Sequence, residues 1–138
     1  MALVCDTSIL VAAFDRSDPD HRRCAALLET TADDLLLPTL TLVELDYWCR
    51  KRELRRSWPG LLDELEAGVW RLMHPNGTDL RRSRELLKQY ADLNLSLVDA
   101  TVIALCERLE EPKIATLDRR HFSVVRPAHV EALRLLPE

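Results

Sequence analysis

The 138-residue sequence has no hydrophobic run that approaches the roughly 20 residues needed to cross a bilayer. Its first residues, Met1 to Asp6, lack both a basic start and a long apolar segment, so we do not expect a signal peptide. It also lacks internal repeats, low-complexity segments and linkers. These absences predict a cytoplasmic protein that does not bind membranes and folds as one domain over residues 1–138.

The cysteines contain no C-x-x-C pair, and each of the four has apolar neighbours. We therefore expect reduced core residues, with a zinc site or disulfides as the less favoured alternatives. There is no excess of basic residues either, because the net charge is -4. This charge argues against a simple basic nucleic-acid binder. It does not exclude a nuclease with an acidic site, since bound divalent cations reverse the local field.

Helical and short extended patterns alternate along the chain. The patterns predict strands at 3–6, 35–37, 69–73, 113–116 and 123–126. They predict helices at 7–14, 18–29, 39–52, 57–68, 78–90 and 96–109. Strands that alternate with helices predict an α/β fold with a largely parallel sheet.

Four acidic residues interrupt or end apolar runs: Asp6, Glu44, Asp99 and Asp118. An ionised carboxylate in such surroundings is destabilising by several kcal/mol unless something pairs with it. Asp6 and Asp118 each end a predicted strand, and ligand sites in open parallel sheets form beyond the carboxyl ends of strands. Asp99 follows a predicted Ser96 cap in the first turn of its helix. The pattern therefore predicts that the four acids reach one cleft.

Each acid also has an ordinary explanation, such as a helix cap, a turn residue or a partner for an arginine. Capping does not explain Glu44, however, and a lone buried ion pair does not explain the strand-end positions. Several carboxylates in one cleft would favour protonation unless a cation were bound. Ligands that are all oxygens select a hard ion, Mg²⁺ or Mn²⁺. The histidines are scattered and mostly near turns, which argues against histidine-rich zinc chemistry and against a well-placed histidine base.

Four segments, in order along the chain, resemble the motif regions of PIN-domain ribonucleases, most closely those of the VapC toxins of bacterial toxin–antitoxin pairs. The segments are Val4-Cys5-Asp6-Thr7-Ser8, Leu42-Val43-Glu44-Leu45, Ser96-Leu97-Val98-Asp99-Ala100 and Ala115-Thr116-Leu117-Asp118-Arg119-Arg120-His121-Phe122. The resemblance covers essentially the whole chain. It implies a PIN-like three-layer α/β/α sandwich with a central, mostly parallel sheet. It also implies Mg²⁺-dependent endoribonuclease activity, a cognate VapB-like antitoxin that blocks the site, and a homodimer.

The resemblance assigns site residues by position. Asp6, Asp99 and Asp118 would hold the metal ion, and Glu44 would complete its shell directly or through water. Two small polar residues, Ser8 and Thr116, match positions that hydrogen-bond water or carboxylates in the family; a helix-start residue and a β-branched strand residue remain the ordinary alternatives. Some relatives carry a further acid where this chain has Arg119-Arg120-His121, so the ligand set on that side stays open.

The implied activity is cleavage of RNA phosphodiesters, in tRNA or rRNA, with inhibition of translation. A catalytically weak RNA-binding or regulatory PIN module is the first alternative. An aspartyl-phosphate phosphotransfer protein is the second, because such proteins also place an aspartate at a strand end. Two residues argue against this alternative. Acyl-phosphate phosphatases have a second aspartate at the position of Ser8, and receiver domains have a lysine at the end of a late strand, whereas Lys113 begins its strand.

Further features surround the predicted site. The basic run from Arg50 to Arg56 could contact RNA, or it could be a solvated helix end. We expect all three tryptophans in the core, with Trp58 as the one to test for partner contact, and His121-Phe122 as a packed pair at the start of the last strand. By resemblance, the antitoxin groove would lie between 59–65 and the second helix, with its Leu27 and Leu28.

Overall fold

The computed structural model describes all 138 residues. Its centre is a five-stranded sheet with the strand order β3-β2-β1-β4-β5, in which every neighbouring pair is parallel. The strands are β1 (Ala2–Cys5), β2 (Asp34–Pro38), β3 (Trp70–Met73), β4 (Lys113–Ala115) and β5 (Arg134–Leu136). Val4 of the central strand β1 pairs with Leu36 on one side and with Ile114 on the other.

Seven α-helices connect and flank the strands. They are α1 (Thr7–Phe14), α2 (His21–Thr30), α3 (Thr39–Lys51), α4 (Trp58–Glu66), α5 (Gly77–Gln89), α6 (Leu97–Leu109) and α7 (Arg119–Phe122). Two 3₁₀ turns, Arg55–Ser57 and Ala91–Leu93, precede α4 and α6. None of the helices combines the length and hydropathy that a bilayer-spanning segment needs.

Side chains that alternate along the strands divide the core into two layers. Leu3 and Cys5 of β1 belong to a buried cluster with residues of α1, α2, α3 and α4. Val4, between them, belongs to a second buried cluster with residues of α5, α6 and α7. Successive side chains of a strand point to opposite faces, so each face of the sheet is covered by its own set of helices. The structure confirms the predicted α/β/α sandwich, and its sheet is entirely parallel.

The helix α6 fills the centre of the second layer. All residues from Ala100 to Cys106 are buried, so this helix is central to the layer. The four cysteines are buried and unpaired, as expected for core residues. Burial raises the pKa of Cys106 to about 12, so this thiol is not a nucleophile.

The prediction of a last strand at 123–126 is wrong. The side chain of Asp118 accepts a hydrogen bond from the backbone N–H of His121 and thereby caps α7, which turns the chain away from the sheet. Val124 and Val125 both donate their backbone N–H groups to the carbonyl oxygen of His121, so the β-propensity of this valine pair is overridden by local turns. The fifth strand is β5, whose Arg134 pairs with Lys113 of β4.

Candidate active site

A cleft of about 390 Å³ opens where β1 and β4 end, and all four predicted acids line it. Asp6 directly follows β1, and Asp118 follows β4, the strand beside it. Glu44 comes from the second turn of α3, and Asp99 from the first turn of α6. The structure therefore brings together side chains from four separate segments. Two of them follow strand ends, where sites of open parallel sheets form.

Asp6 is the most buried of the four acids, with 5% of its surface exposed. Its Oδ2 atom accepts hydrogen bonds from Thr116 Oγ1 at 2.9 Å and from Ser8 Oγ at 3.1 Å. Burial raises the pKa of the Asp6 carboxyl above its ordinary value, and the negative charge of Glu44 raises it further, whereas the two hydroxyl donors lower it. The site thus holds a carboxylate whose ionised form lacks a compensating charge.

The two predicted hydroxyl residues connect Asp6 to the segment that carries Asp118. Ser8 Oγ accepts from the backbone N–H of Leu117 at 3.0 Å, and Thr116 Oγ1 accepts from the backbone N–H of Asp118 at 3.0 Å. Each hydroxyl therefore donates to Asp6 and accepts from the loop after β4. This network fixes the positions of both aspartates relative to each other.

Glu44 is held by a neighbour of Asp6. Its Oε1 atom accepts a hydrogen bond from Thr7 Oγ1 at 2.8 Å. Thr7 is buried and begins α1 directly after Asp6, so the hydroxyl orients Glu44 toward the same cleft. Sequence reasoning did not single out Thr7, because a threonine at a helix start has an ordinary structural explanation.

Asp99 occupies the start of α6 that its spacing from Ser96 predicts. The Ser96 side chain accepts from the Asp99 backbone N–H at 3.0 Å, which confirms Ser96 as the N-cap. Burial raises the pKa of the Asp99 carboxyl to about 6, and the neighbouring charge of Asp6 is the next largest cause. Like charges in one cleft therefore disfavour full ionisation, which is the situation that a bound cation relieves.

His121 is a site residue that the sequence analysis placed in a packed pair at the start of a strand, and that placement is wrong. Its Nδ1 atom lies 2.7 Å from Oδ2 of Asp118, and its Nε2 atom lies 3.2 Å from the carbonyl oxygen of Leu93. Both neighbours accept hydrogen bonds, so the geometry fits an imidazolium that donates from both nitrogens. Accordingly, the hydrogen bond to Asp118 raises the pKa of His121 above its ordinary value. The i, i+3 spacing of Asp118 and His121 could have indicated a short helix capped by Asp118, with the imidazole next to the carboxylate.

The ligand atoms of Asp99, Asp118 and His121 all lie within 4.8 Å of one another and could hold a metal ion. Because each nitrogen of His121 already faces an acceptor, the groups left to bind a cation are carboxylate oxygens. Asp6 and Glu44 line the same cleft outside this tight group. The donor set fits a hard divalent cation, which prefers oxygen ligands.

The rim of the cleft carries Trp48 and Arg52, both from the end of α3. Trp48 is 39% exposed, so the expectation that all three tryptophans are core residues is wrong for this one. Trp70 is buried as expected, and Trp58 packs partly buried against the first core layer. The Arg52 guanidinium donates to Asp15 at 3.1 Å and to Asp18 at 2.9 Å, and the hydrogen bond to Asp18 raises its pKa.

A second, larger groove of about 740 Å³ lies between α1, α2 and α4. It adjoins a mostly apolar hollow of about 350 Å³ whose lining includes Leu28 of α2 and Leu61 of α4. The groove lies between segment 59–65 and α2, and antitoxin binding there stays a prediction. Leu27 packs against the core, and Trp58 has a buried indole N–H without a hydrogen-bond partner.

Lys113 lies at the wrong end of the sheet for phosphotransfer. It forms an ion pair with Asp33, at the amino ends of β4 and β2. Asp6 follows the carboxyl end of β1, so the lysine is not beside it. This placement argues against the receiver-domain alternative.

Comparison with known proteins gives a consistent result. Residues 3–127 match the family model described as "PIN domain". The chain is 33% identical over 125 residues to ribonuclease VapC26 of Mycobacterium tuberculosis, covering 91% of this chain and 93% of that protein. Among solved structures it is similar to VapC20 of the same organism, described as a Sarcin-Ricin loop cleaving toxin, with a TM-score of 0.74, 19% identity, and coverage of 82% and 87%. A toxin–antitoxin complex from Klebsiella pneumoniae gives a TM-score of 0.67, 20% identity, and coverage of 90% and 92%.

Proposed function

The chain belongs to the PIN-domain family and, within it, to the VapC-like proteins, and we propose that it is a Mg²⁺-dependent endoribonuclease toxin. One observation carries this proposal: four carboxylates from separate segments line one cleft, and burial and mutual repulsion raise the pKa of two of them, Asp6 and Asp99. Such an arrangement is unfavourable in a protein without a bound cation. We assign residues 1–138 to one domain and place the protein in the cytoplasm.

In the proposed reaction, Asp6, Asp99 and Asp118 hold the metal ion, and Glu44 completes the shell directly or through water. When bound, Mg²⁺ or Mn²⁺ supplies a water nucleophile and neutralises charge on the scissile phosphate. Ser8 and Thr116 orient Asp6 by donating to its Oδ2 atom, and these hydrogen bonds favour its ionised form against the effect of burial on its pKa. His121 fixes the carboxylate of Asp118 through Nδ1 and compensates part of the negative charge of the cleft.

The proposed substrate is structured cellular RNA, either tRNA or rRNA, and its cleavage would inhibit translation. VapC26, which is 33% identical over most of the chain, is named a ribonuclease, and this name supports RNA as the substrate. VapC20, which has a similar fold, is described as a Sarcin-Ricin loop cleaving toxin, and this description supports an RNA loop as one class of target. A catalytically weak RNA-binding module is disfavoured because all four acids are present and converge.

The test is cleavage of a mixed pool of tRNA and rRNA by purified protein free of antitoxin. It is run with Mg²⁺, with EDTA, and with the variants Asp6→Asn and Asp92→Asn. Asp92 is an exposed acid outside the cleft and serves as the matched control. We expect discrete fragments from the wild-type protein and from Asp92→Asn, and none with EDTA or with Asp6→Asn. Cleavage that survives EDTA, or that Asp6→Asn retains at wild-type rate, contradicts the proposal.

We further propose that a VapB-like antitoxin binds the larger groove between α1, α2 and α4. The neighbouring toxin–antitoxin complex supports a partner of this kind. The groove joins an apolar floor to charged rims, with Arg16 and Arg56 beside Glu29 and Glu64, which suits an amphipathic peptide segment.

A homodimer is also part of the proposal. The exposed side chains of Val43, Leu80 and Leu97 offer apolar surface outside that groove. Sedimentation equilibrium of the protein free of antitoxin tests this assembly; a monomer at micromolar concentration contradicts it.

A further inference from the structure

We propose that Trp48, at the end of α3, is the stacking platform for an unpaired RNA base next to the scissile phosphate. The inference rests on the proposed ribonuclease function and adds a residue that positions RNA at the cleft. The rim at the end of α3 would hold single-stranded nucleotides, while the acids act on the phosphate beside them.

The geometry of Trp48 is that of a fixed platform. The Arg52 guanidinium lies over its ring at 5.6 Å from the ring centroid, a cation–π contact. Tyr47 meets the indole edge-on, with ring centroids 5.2 Å apart and an interplanar angle of 83°. Arg52 is itself held by Asp15 and Asp18, so the support under the indole is anchored to the loop after α1. The ring is thus oriented by neighbours on the protein while 39% of Trp48 stays exposed at the cleft.

An exposed tryptophan in this place needs an explanation. Burying a large aromatic side chain is favourable, and such residues on a soluble surface often mark an interaction site. Trp48 lines the same cleft as all four acids, so a ligand held by the acids lies near the indole. Nucleic-acid bases stack on aromatic side chains with little dependence on sequence, because every base has a π-face.

Charge at the end of α3 favours a polyanion there. Arg50 and Lys51 are exposed in the last turn of the helix, close to Trp48 in sequence, and together with Tyr47 they line a shallow surface hollow. Arg50 forms only an exposed pair with Asp46 at 3.3 Å, and such pairs are weak. The cleft itself is acidic and repels phosphates until a cation binds. Arg50 and Lys51 lie outside the lining of the cleft, so they add positive charge near the end of α3 and not in the cleft itself, in a chain whose net charge is -4.

Stacking on Trp48 requires a base with a free face. In a duplex each base is covered by its neighbours, whereas loops and single strands present bases that can be splayed onto an aromatic ring. An indole at the cleft, with cations on the neighbouring surface of the same helix end, is typical of a single-strand binding surface. A loop of a folded RNA is consequently a better substrate than its stems.

Binding is measured in the Asp6→Asn background, so that RNA is not cut. The probe is a fluorescently labelled 12-nucleotide RNA of mixed sequence, either single-stranded or annealed to its complement, and the readout is anisotropy. The variants are Trp48→Ala, Trp48→Phe and Leu62→Ala, the last removing an exposed apolar side chain of α4 as a matched control. We expect Trp48→Ala to weaken single-strand binding roughly 5- to 150-fold, with Trp48→Phe within about threefold of the parent protein. Leu62→Ala should bind single-stranded RNA as tightly as the parent protein. Trp48→Ala should leave the affinity for duplex RNA unchanged.

Two further readouts separate stacking from charge and from folding. The double variant Arg50→Gln/Lys51→Gln should reduce the slope of log K against log salt by about 1.4, whereas Trp48→Ala should leave that slope unchanged. In the cleavage-competent protein, Trp48→Ala should raise KM with little change in kcat, because it removes binding energy and not a reacting group.

Unchanged single-strand binding by Trp48→Ala overturns the inference, and so does an equal loss for single-stranded and duplex RNA. A variant that binds RNA normally but no longer associates with a second copy of the chain would assign Trp48 to a dimer surface instead. These results leave the ribonuclease proposal intact if wild-type protein still cuts RNA. Absence of both cleavage and RNA binding in wild-type protein overturns the proposed function, and this inference with it.

Discussion

The imidazole Nδ1 atom of His121 lies 2.7 Å from Oδ2 of Asp118, so the last acid of the cleft is held by the helix that it caps. Asp118 accepts from the backbone N–H of His121 through Oδ1 and faces the imidazole through Oδ2. Both oxygens are therefore oriented by one residue. The hydrogen bond to Asp118 raises the pKa of His121, which favours a positive charge beside this carboxylate.

We predict that His121→Ala lowers the rate of RNA cleavage about 10- to 100-fold, the usual effect of removing a group that orients a metal ligand. The fold should remain, because His121 is only half-buried at the surface end of α7. The measurement is the single-turnover cleavage rate at saturating Mg²⁺. His74→Ala, which removes an exposed histidine bonded to Thr39 outside the cleft, should cleave at the wild-type rate. Equal rates for wild-type protein and His121→Ala would show that Asp118 needs no such support.

Asp99 should make metal-free protein less stable as pH rises. Its folded-state pKa is about 6, above the ordinary value of 3.8, so the folded state binds more protons than the unfolded state between these values. The free energy of unfolding therefore falls, for this residue, as pH rises from about 4 to 6 and stays lower above that. We predict that Asp99→Asn stabilises metal-free protein by about 1–3 kcal/mol at pH 7.5 and by nearly nothing at pH 4.

The measurement for Asp99 is urea unfolding of wild-type protein and Asp99→Asn in EDTA from pH 4 to 8. The difference between the two free energies isolates this residue, since the other groups are common to both proteins. Asp92→Asn, an exposed acid near the same helix, should stay within about 0.5 kcal/mol of wild type throughout. A difference that is constant with pH, or that destabilises the variant at pH 7.5, refutes this account of Asp99.

We predict that Thr116→Val destabilises the protein by about 1–3 kcal/mol and weakens cleavage about 10- to 100-fold. The substitution keeps the shape of a buried side chain but removes the donor to Asp6 and the acceptor for the Asp118 backbone N–H. Without that donor the pKa of Asp6 rises further, and metal binding weakens at neutral pH.

Thermal unfolding and Mg²⁺ titration of the cleavage rate measure the two effects of Thr116→Val. The matched control is Thr101→Val, another buried threonine, whose hydroxyl donates to the carbonyl oxygen of Val98 outside the cleft. That variant should cleave normally at a similar Mg²⁺ requirement. If both valine variants cleave alike, the Thr116 hydroxyl has no special relation to the site.

Gly60→Arg should block the proposed antitoxin without affecting cleavage. Gly60 lines the larger groove, and a Cβ atom added there meets no heavy atom within 4 Å. An arginine at this position therefore fits the fold while it occupies the groove. Gly77→Arg adds the same side chain at the start of α5, away from the groove.

Neutralisation of cleavage by a co-expressed cognate antitoxin measures the effect of these arginines. We expect the antitoxin to inhibit wild-type protein and Gly77→Arg but not Gly60→Arg, with equal cleavage rates in its absence. Normal inhibition of Gly60→Arg would place the antitoxin on another surface.

The layered fold and the cleft were predictable from the sequence because both follow from local patterns. Asp6 ends an apolar strand, Asp118 ends the strand beside it, and Ser96 starts a helix that carries Asp99 in its first turn. Each position is fixed by an element boundary, and parallel strands bring their carboxyl ends to one edge. The roles of the individual acids remain predictions until metal binding and cleavage are measured.

Two site residues could not be predicted, for different physical reasons. His121 was placed at the start of a strand because Val124 and Val125 favour extended structure, but the Asp118 cap turns this segment into a short helix. Trp48 was expected in the core with the other tryptophans, but the face that α3 buries carries Thr41, Leu45 and Cys49, and Trp48 lies outside that face. Apolar residues occur on more than one face of α3, so which face is buried depends on tertiary packing, and periodicity does not contain that information.

Calorimetric titration of Mn²⁺ into the protein free of antitoxin tests most directly the central claim that the acidic cleft exists to hold a divalent cation. The account predicts saturable binding to wild-type protein and to Asp92→Asn, and loss of that binding in Asp99→Asn, which removes one carboxylate without removing its neighbours. Wild-type affinity in Asp99→Asn, or no saturable binding to wild-type protein, would contradict the account.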